Sequence, residues 1–534
     1  ERMPYVIGFL FVLKYAVATV CAYAYIRRFL PPASGNTGFA RALPALCGAL
    51  LYAFSGFQSI NIYYGFFHDV VAFFPLLLLG YEKLVHENRR GFFALAVMLN
   101  ALVNYYFFIQ EVLFLVLYHF CREGFHPVKN RRVIARCFLE GVTGVLQAGI
   151  LFVPALISTM QNPRTDSFIN PLRYLLNASR MYLFEIRSLL FPGELLDQPS
   201  CLTDYNYGSY SAYLPLVGSA LVIAYLFKHK TDWLSRLLYI CLLCMFVPAL
   251  NAVFNLMIES SATVQRWLYM MILMMALASS RVIAEPEAYP VRRVSLFYAG
   301  FILLLTAFMY IWHATRYEMI RDGRMFLLYT AAGLAGVLVT ALLFRIRHAA
   351  RMFRPLMLFC VSLFCVYTTL LCTLRYQVPA AEASRYTAQA DLYRSLRVDD
   401  ARYRFFSTDN LLSMGGGQTV TGSFLSTKNS SILAFYRNFM DEEIGQSSIR
   451  MNYSNDELKG IRALLAGRYE ISEAGLLTED ADTLPVGSVY DTYITASEFA
   501  EIPAELRAMA MLQWIILADD EAAAADGFLK HEAD

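Results

Sequence analysis

Long apolar runs alternate with short polar and basic stretches along the first 375 residues of this chain, and the alternation stops beyond them. A membrane-crossing helix needs roughly 20 mainly apolar residues. Twelve segments meet or approach that length: 5–26, 40–55, 68–84, 91–106, 108–121, 133–158, 211–228, 235–254, 264–284, 294–313, 325–345 and 355–374. The stretch 91–121 reads either as one long bent helix or as a tight hairpin around Asn104-Tyr105-Tyr106. After residue 376 acidic residues return. Short β-prone runs, such as Tyr403–Phe406 and Gly487–Ile494, alternate with helical ones, such as Asn455–Leu465 and Glu501–Leu517. The pattern predicts a polytopic α-helical membrane domain of about twelve transmembrane helices over 1–375, then a mixed α/β domain over 376–534.

Composition agrees with lipid as the main solvent. The 534 residues are 57% hydrophobic and 16% charged, against about 25% charged in soluble chains. The net charge of +2 gives no sign of a nucleic-acid partner. The placement of charge says more. One alternate set of loops carries 21 Lys and Arg; the other, with the N-terminal end, carries nine Arg and no Lys. Cytoplasmic loops hold the excess of basic residues. Both chain ends, and the domain 376–534, are therefore expected outside the cytoplasm. An outside start, with no initiator Met, predicts residues ahead of Glu1. The acidic end DDEAAAADGFLKHEAD, with no closing element, predicts a cut at that end too.

Most of the ten cysteines fall in apolar runs, and none lies in 376–534. Cys241-x-x-Cys244 has a metal or redox spacing, but no second pair accompanies it, so it reads as core. Gly415-Gly416-Gly417 lacks the strand-to-helix setting of a nucleotide loop and reads as a flexible loop. No Walker loop, dinucleotide fingerprint, HExxH or nucleophile elbow is present, which argues against ATP-driven chemistry.

The polar residues of interest gather in the outer loops. His68-Asp69 stands where loop 55–69 re-enters the membrane. Asp69 reads either as a helix cap or as a base or divalent-metal ligand (Mg or Mn), with His68 relaying a proton. Glu111 carries the same two readings. Lys14, in the middle of a span, either pairs with a neighbouring helix or faces a cavity that takes an anion. Arg266 pairs with Glu259 or grips a phosphate through its planar fork. In the long loop 159–210, Arg173, Arg180 and Arg187 recur every seven residues and share one helical face. That predicts a helix lying in the interface plane, or a clamp for a lipid-linked phosphate.

LYAFSGFQSINIYYGFFHDVVAFFPLLLLGYEKL and LNALVNYYFFIQEVLFLVLYHFCR resemble the bacterial YfhO family of membrane proteins. The likeness runs from FVLKYAVATVCAYAYIRR through RWLYMMILMMALASS to LLAGRYEIS and LPVGSVYDTYITASEFAEIPAELRAMAMLQ, nearly the whole chain. The resemblance implies a polytopic glycosyltransferase of GT-C type. Such an enzyme moves a sugar from a polyprenyl-phosphate carrier to an envelope polymer such as lipoteichoic acid. It also implies that the usual catalytic carboxylate sits in an outer loop ahead of Glu1. Arg266, Arg173 and Lys14 are then expected at the carrier phosphate, Asp69 and Glu111 as base or metal ligand, and Tyr63, Tyr64, Tyr105 and Tyr106 against the sugar. A flippase of lipid-linked sugars and a non-catalytic scaffold are the rival readings.

Overall fold

A computed structural model of the chain describes residues 3–30, 38–126, 131–160, 168–176, 179–192, 211–215, 218–258, 264–315, 320–374, 379–396, 398, 400–407, 409–422, 435, 459–472, 475–525 and 528–532. It divides into two compact units. The first comprises Glu1–Leu156 and Phe168–Gln377, the second Ile157–Ser167 and Val378–Asp534.

Among its described residues the first unit is helical apart from one isolated antiparallel bridge, Phe168 to Ile258. Its helices are α1 (Met3–Arg27), α2 (Gly38–Ala53), α3 (Gly56–Ile60), α4 (Gly65–Glu87), α5 (Phe92–Val103), α6 (Tyr105–Glu123), α7 (Arg131–Gln147) and, as far as Leu156, α8 (Gly149–Met160). They continue as α9 (Ser179–Leu190), α10 (Gly218–Lys228), α11 (Trp233–Phe246), α12 (Pro248–Phe254), α13 (Leu268–Ala284), α14 (Val291–Thr315), α15 (Gly323–Leu343) and α16 (Ala350–Leu374). Each of the twelve apolar segments carries helix. Among the described residues, six helices are long and apolar enough to cross a membrane, and eight if each of two bent pairs is one span. The remainder differ for physical reasons. Phe92–Val103, Gly218–Lys228 and Leu268–Ala284 are apolar but short; twelve helical residues rise only about 18 Å. The segment 133–158 bends by 86° between α7 and α8, and 235–254 by 107° between α11 and α12. The second break falls at extended Val247, where Pro248 opens the next helix. Proline suits that first helical position because it has no N–H to leave unpaired.

α13 forms the centre. Fifteen of its seventeen residues are buried, as expected for a helix apolar on every side. It packs on α2 and α10. At Gly48 of α2, a Cβ would overlap Ser280 Oγ and the Ala276 carbonyl of α13, so only glycine permits this approach. α5 breaks from α6 at Asn104, whose side chain accepts from the backbone N–H of Tyr106 at 3.1 Å and Phe107 at 3.4 Å. This cap separates the two segments within 91–121.

The second unit holds short strands and helices. β1 (Tyr469–Ile471) pairs antiparallel with β2 (Leu477–Glu479). A three-stranded sheet has the order β4 (Ile515–Leu517), β3 (Thr492–Thr495), β5 (Lys530–His531), with both pairings parallel. Helices Ala496–Glu501 and Ala504–Gln513 connect β3 to β4. The helix expected over Glu501–Leu517 thus ends at Gln513. Ile515-Ile516, β-branched and beside an extended Trp514, join the sheet instead. Tyr403–Phe406 contributes isolated bridges from Phe405 to Val420 and Tyr469.

Candidate functional site

The N-terminal ends of α4, α6 and α13 meet the end of α12. Here Tyr106 donates to Asn255 Oδ1 at 2.7 Å, and Gln110 Nε2 donates to the same oxygen at 3.2 Å. Asn255 Nδ2 in turn donates to the Val264 carbonyl at 2.9 Å. Trp267 Nε1 donates to Asn251 Oδ1 at 2.7 Å, and the Trp267 ring stacks on Phe254 with centroids 4.4 Å apart. These partners fix the chain on both sides of Arg266.

Arg266 is half-buried. Its guanidinium lies 5.4 Å from the Phe67 ring centroid and 5.9 Å from that of Tyr106. Its Nε is buried without a hydrogen-bond partner, and no carboxylate pairs with it among the described residues. A cation within reach of two ring faces, with its Nε donor unpartnered among the described residues, is suited to receive a planar or tetrahedral oxyanion. Glu259, its expected partner, lies outside the described residues.

Glu111 lies one turn beyond Tyr106 and Phe107 on α6. It is fully buried; Oε1 accepts from Tyr269 at 2.8 Å, while Oε2 has no partner among the described residues. It is not a cap. It sits in the second turn of α6, whose cap is Asn104.

Lys14 and Asp69 form a separate pair. Lys14 Nζ lies 2.9 Å from Asp69 Oδ2 and donates to the Gly65 carbonyl at 2.9 Å. Asp69 does not cap α4 either, because that helix starts at Gly65. His68 is buried between Phe11 and Tyr15 of α1. Its Nε2 lies 3.2 Å from the Asn61 carbonyl, and its Nδ1 has no partner among the described residues. Two positions on a helix turn by about 200°. Phe67, on the Arg266 side, and Asp69, on the α1 side, therefore face apart. Asp69, Glu111 and Arg266 do not close on one point.

The aromatic candidates divide in the same way. Tyr64 stacks on Phe67 at 5.1 Å and meets Tyr63 edge-on at 5.5 Å. Tyr106 belongs to the Arg266 cradle, and Tyr105 opens α6 half-buried. Arg173 lies on a separate turn, Pro171–Tyr174, and its side chain is outside the described residues, as is that of Arg180. α9 begins only at Ser179, so the seven-residue spacing does not run along one helix. Met181, Phe184, Glu185 and Arg187 of α9 are buried. α9 is thus a packed helix, where an interface-plane helix was expected. No group of three or more His, Cys, Asp or Glu suited to a metal ion occurs among the described residues. The Asp69 oxygen that would take Mg or Mn already holds an ammonium. Among the described residues, then, Asp69 and Glu111 form no ready-made site for a divalent cation.

A second polar centre went unread in the sequence. Glu82, fully buried on α4, lies 3.3 Å from Arg28 and from Arg122 and accepts from Tyr118 at 2.6 Å. Arg281 lies 3.5 Å from Asp232 beside it, over the Trp233 ring. A carboxylate in the apolar GYEKL run, near loops rich in arginine, was the available signal.

A family model described as "Bacterial membrane protein YfhO" matches residues 1–504. The "Uncharacterized protein YfhO" of Bacillus subtilis (strain 168) is 24% identical over 525 residues, covering 88% of this chain and 56% of its own. The chain therefore spans about half the length of that curated relative. No solved structure matches.

Proposed function

This chain belongs to the bacterial YfhO membrane-protein family, and on that footing we propose that it transfers a sugar from a polyprenyl-phosphate carrier to an envelope polymer, such as lipoteichoic acid, outside the cytoplasm. The observation that carries the reading is Arg266, a stacked guanidinium without a carboxylate partner among the described residues. On this reading its fork takes the carrier phosphate, and Tyr64 and Tyr106 offer ring faces to the sugar. A general base must come within about 3 Å of the proton it removes. Asp69 keeps 32% side-chain exposure and is the proposed base, oriented by Lys14; because it faces away from Arg266 on α4, this role requires the sugar and acceptor to reach round α4 from the Arg266 side. Glu111 is fully buried and acts as a positioning residue through Tyr269. The shorter apolar helices complete a bundle of about twelve, and the second unit presents the acceptor on the outer side.

The bends of 86° and 107° favour a second reading, because broken helices recur at the substrate sites of transporters. One experiment separates the two. Full-length protein in vesicles receives a radiolabelled polyprenyl-phosphate sugar and lipoteichoic acid, with and without magnesium or manganese. Label on the polymer supports transfer. Carrier crossing the bilayer with no label on the polymer supports the flippase and removes the enzyme reading.

A further inference from the structure

We propose that a groove between α4, α5, α6 and α7 holds one acyl chain of an anionic glycerophospholipid, with its headgroup on the arginines that open α7. The groove encloses about 530 Å³ and is walled almost wholly by carbon. On α6 its wall includes Phe108, Val112, Val116 and Phe120, an inclined ridge at four-residue spacing. Ile134, Phe138, Gly141 and Val145 face it from α7, over a floor that includes Leu77 and Val97. Twelve residues of helix give the groove a length of about 18 Å. That is close to one leaflet's share of a hydrocarbon core of roughly 30 Å. Phe138 keeps 68% exposure and Val116 46%, so no other described element covers the wall.

Two glycines on α7 explain the space. A Cβ on Gly144 would lie 2.5 Å from the Ala94 carbonyl, so this side of α7 is pressed onto α5. A Cβ on Gly141 would meet nothing within 4 Å. One turn closes the helix contact and the neighbouring position leaves the groove open.

Charge selects the headgroup. Arg131 and Arg132 are exposed at the first turn of α7 and make no ion pair among the described residues. Arg136 donates to the neutral Asn88 side chain at 2.8 Å. Basic clusters beside spanning helices attract anionic lipid headgroups, and a helix N-terminus adds to the attraction for phosphate. Tyr81 and His119, paired at 2.6 Å, supply the polar groups lining the same end of the groove. That end is far from Arg266: Tyr106, in the Arg266 cradle, and Phe120 are fourteen positions apart on α6, or about 21 Å. The groove therefore serves a different phosphate from the one assigned to Arg266, and the inference does not rest on sugar transfer.

The test offers delipidated full-length protein in detergent an equimolar mixture of phosphatidylglycerol, phosphatidylcholine and undecaprenyl phosphate, and counts bound lipid by native mass spectrometry. Wild type should retain one phosphatidylglycerol in preference. Each of Arg131→Gln and Arg132→Gln should weaken that retention about fivefold. Gly141→Phe should abolish it by filling the groove. Arg292→Gln with Arg293→Gln, a basic pair elsewhere on the bundle, should change nothing. Equal retention of phosphatidylcholine overturns the proposal, as does displacement by undecaprenyl phosphate or an equal loss in the Arg292/Arg293 control. If Gly141→Phe fails to purify as a folded species, the two arginine variants decide the matter alone.

Discussion

Tyr269 of α13 reaches Glu111 of α6 across 158 positions of sequence, and its hydroxyl donates to the carboxylate at 2.8 Å with both side chains fully buried. The other Glu111 oxygen has no partner among the described residues. Removing the single donor leaves the whole carboxyl unserved in an apolar setting. Tyr269→Phe should therefore destabilise the protein by about 1–3 kcal/mol. Thermal unfolding of full-length protein in detergent measures it. Adding Glu111→Leu should then cost less than the two single changes combined, because partners in one hydrogen bond are not additive. Simple additivity would show that the contact is not what holds these helices together.

Arg266 sits between two rings, and that geometry predicts a graded series. Arg266→Ala should lower kcat/KM for sugar transfer by about 10- to 100-fold, the range for a charge-assisted hydrogen bond. Arg266→Lys should recover only part, because an ammonium keeps the charge but loses the planar fork. Tyr106→Phe keeps the ring and should change transfer little, whereas Tyr106→Leu should mimic much of the alanine variant. Equal activity of wild type and Arg266→Ala would end the phosphate assignment.

The Lys14–Asp69 pair tests the base. Either Lys14→Met or Asp69→Asn strands one charge in the helical bundle and should cost about 2 kcal/mol. The double variant should regain most of the loss in a thermal melt. Transfer is then read in the double variant. Stability restored with transfer abolished supports Asp69 as the base. Transfer retained would mean that the pair is structural.

In the second unit, Glu498 completes a capping box with Thr495 and meets His531 at 3.0 Å. The Thr495 backbone N–H, then His531 and the Thr495 hydroxyl, pull its carboxyl down to about 2. A carboxyl lowered on folding stabilises the fold above its ordinary value, and the benefit fades as pH falls towards 2. Hydrogen exchange over 492–501 should accelerate between about pH 4.5 and 2 in the full-length protein. Glu498→Gln should already exchange faster at neutral pH and lose that acid dependence. An unchanged acid profile in the variant would assign the effect to other groups.

Gly48 predicts a packing failure. Gly48→Ala places a methyl group against Ser280 and the Ala276 carbonyl, and overpacking of this kind costs about 1–3 kcal/mol. Gly141→Ala, facing open space, should leave the melting temperature unchanged or raise it slightly, since alanine favours helix over glycine. A loss in Gly141→Ala as large as in Gly48→Ala would show that the close approach at Gly48 is not the cause.

Much of the helical scaffold was legible because length and apolarity are local properties. Every apolar segment carries helix. The bends were less so. Pro248 marks one, but Pro154 lies within α8 without ending it, so proline alone does not locate a break. Arg266 stood out in the sequence beside Trp267 and Tyr269. Its cradle did not, because Phe67 and Tyr106 arrive from distant helices. The same applies to Asn255, bonded to residues 145 and 149 positions away. The seven-residue arginine spacing misled because periodicity presumes one continuous helix, and here a separate turn precedes α9.

The chain from residue 376 onward has no thiol, and Cys47, Cys241 and Cys365 of the bundle are buried. That makes the second unit chemically silent to maleimides. With Cys137, Cys201, Cys360 and Cys372 replaced by serine, Val489→Cys, at a side chain 95% exposed, becomes a reporter on an otherwise dark surface. A reagent too polar to enter cells will label it in intact bacteria if the unit faces outward. It will label it only after lysis if the unit faces the cytoplasm. That one thiol thus turns the count of loop arginines into a direct reading of sidedness.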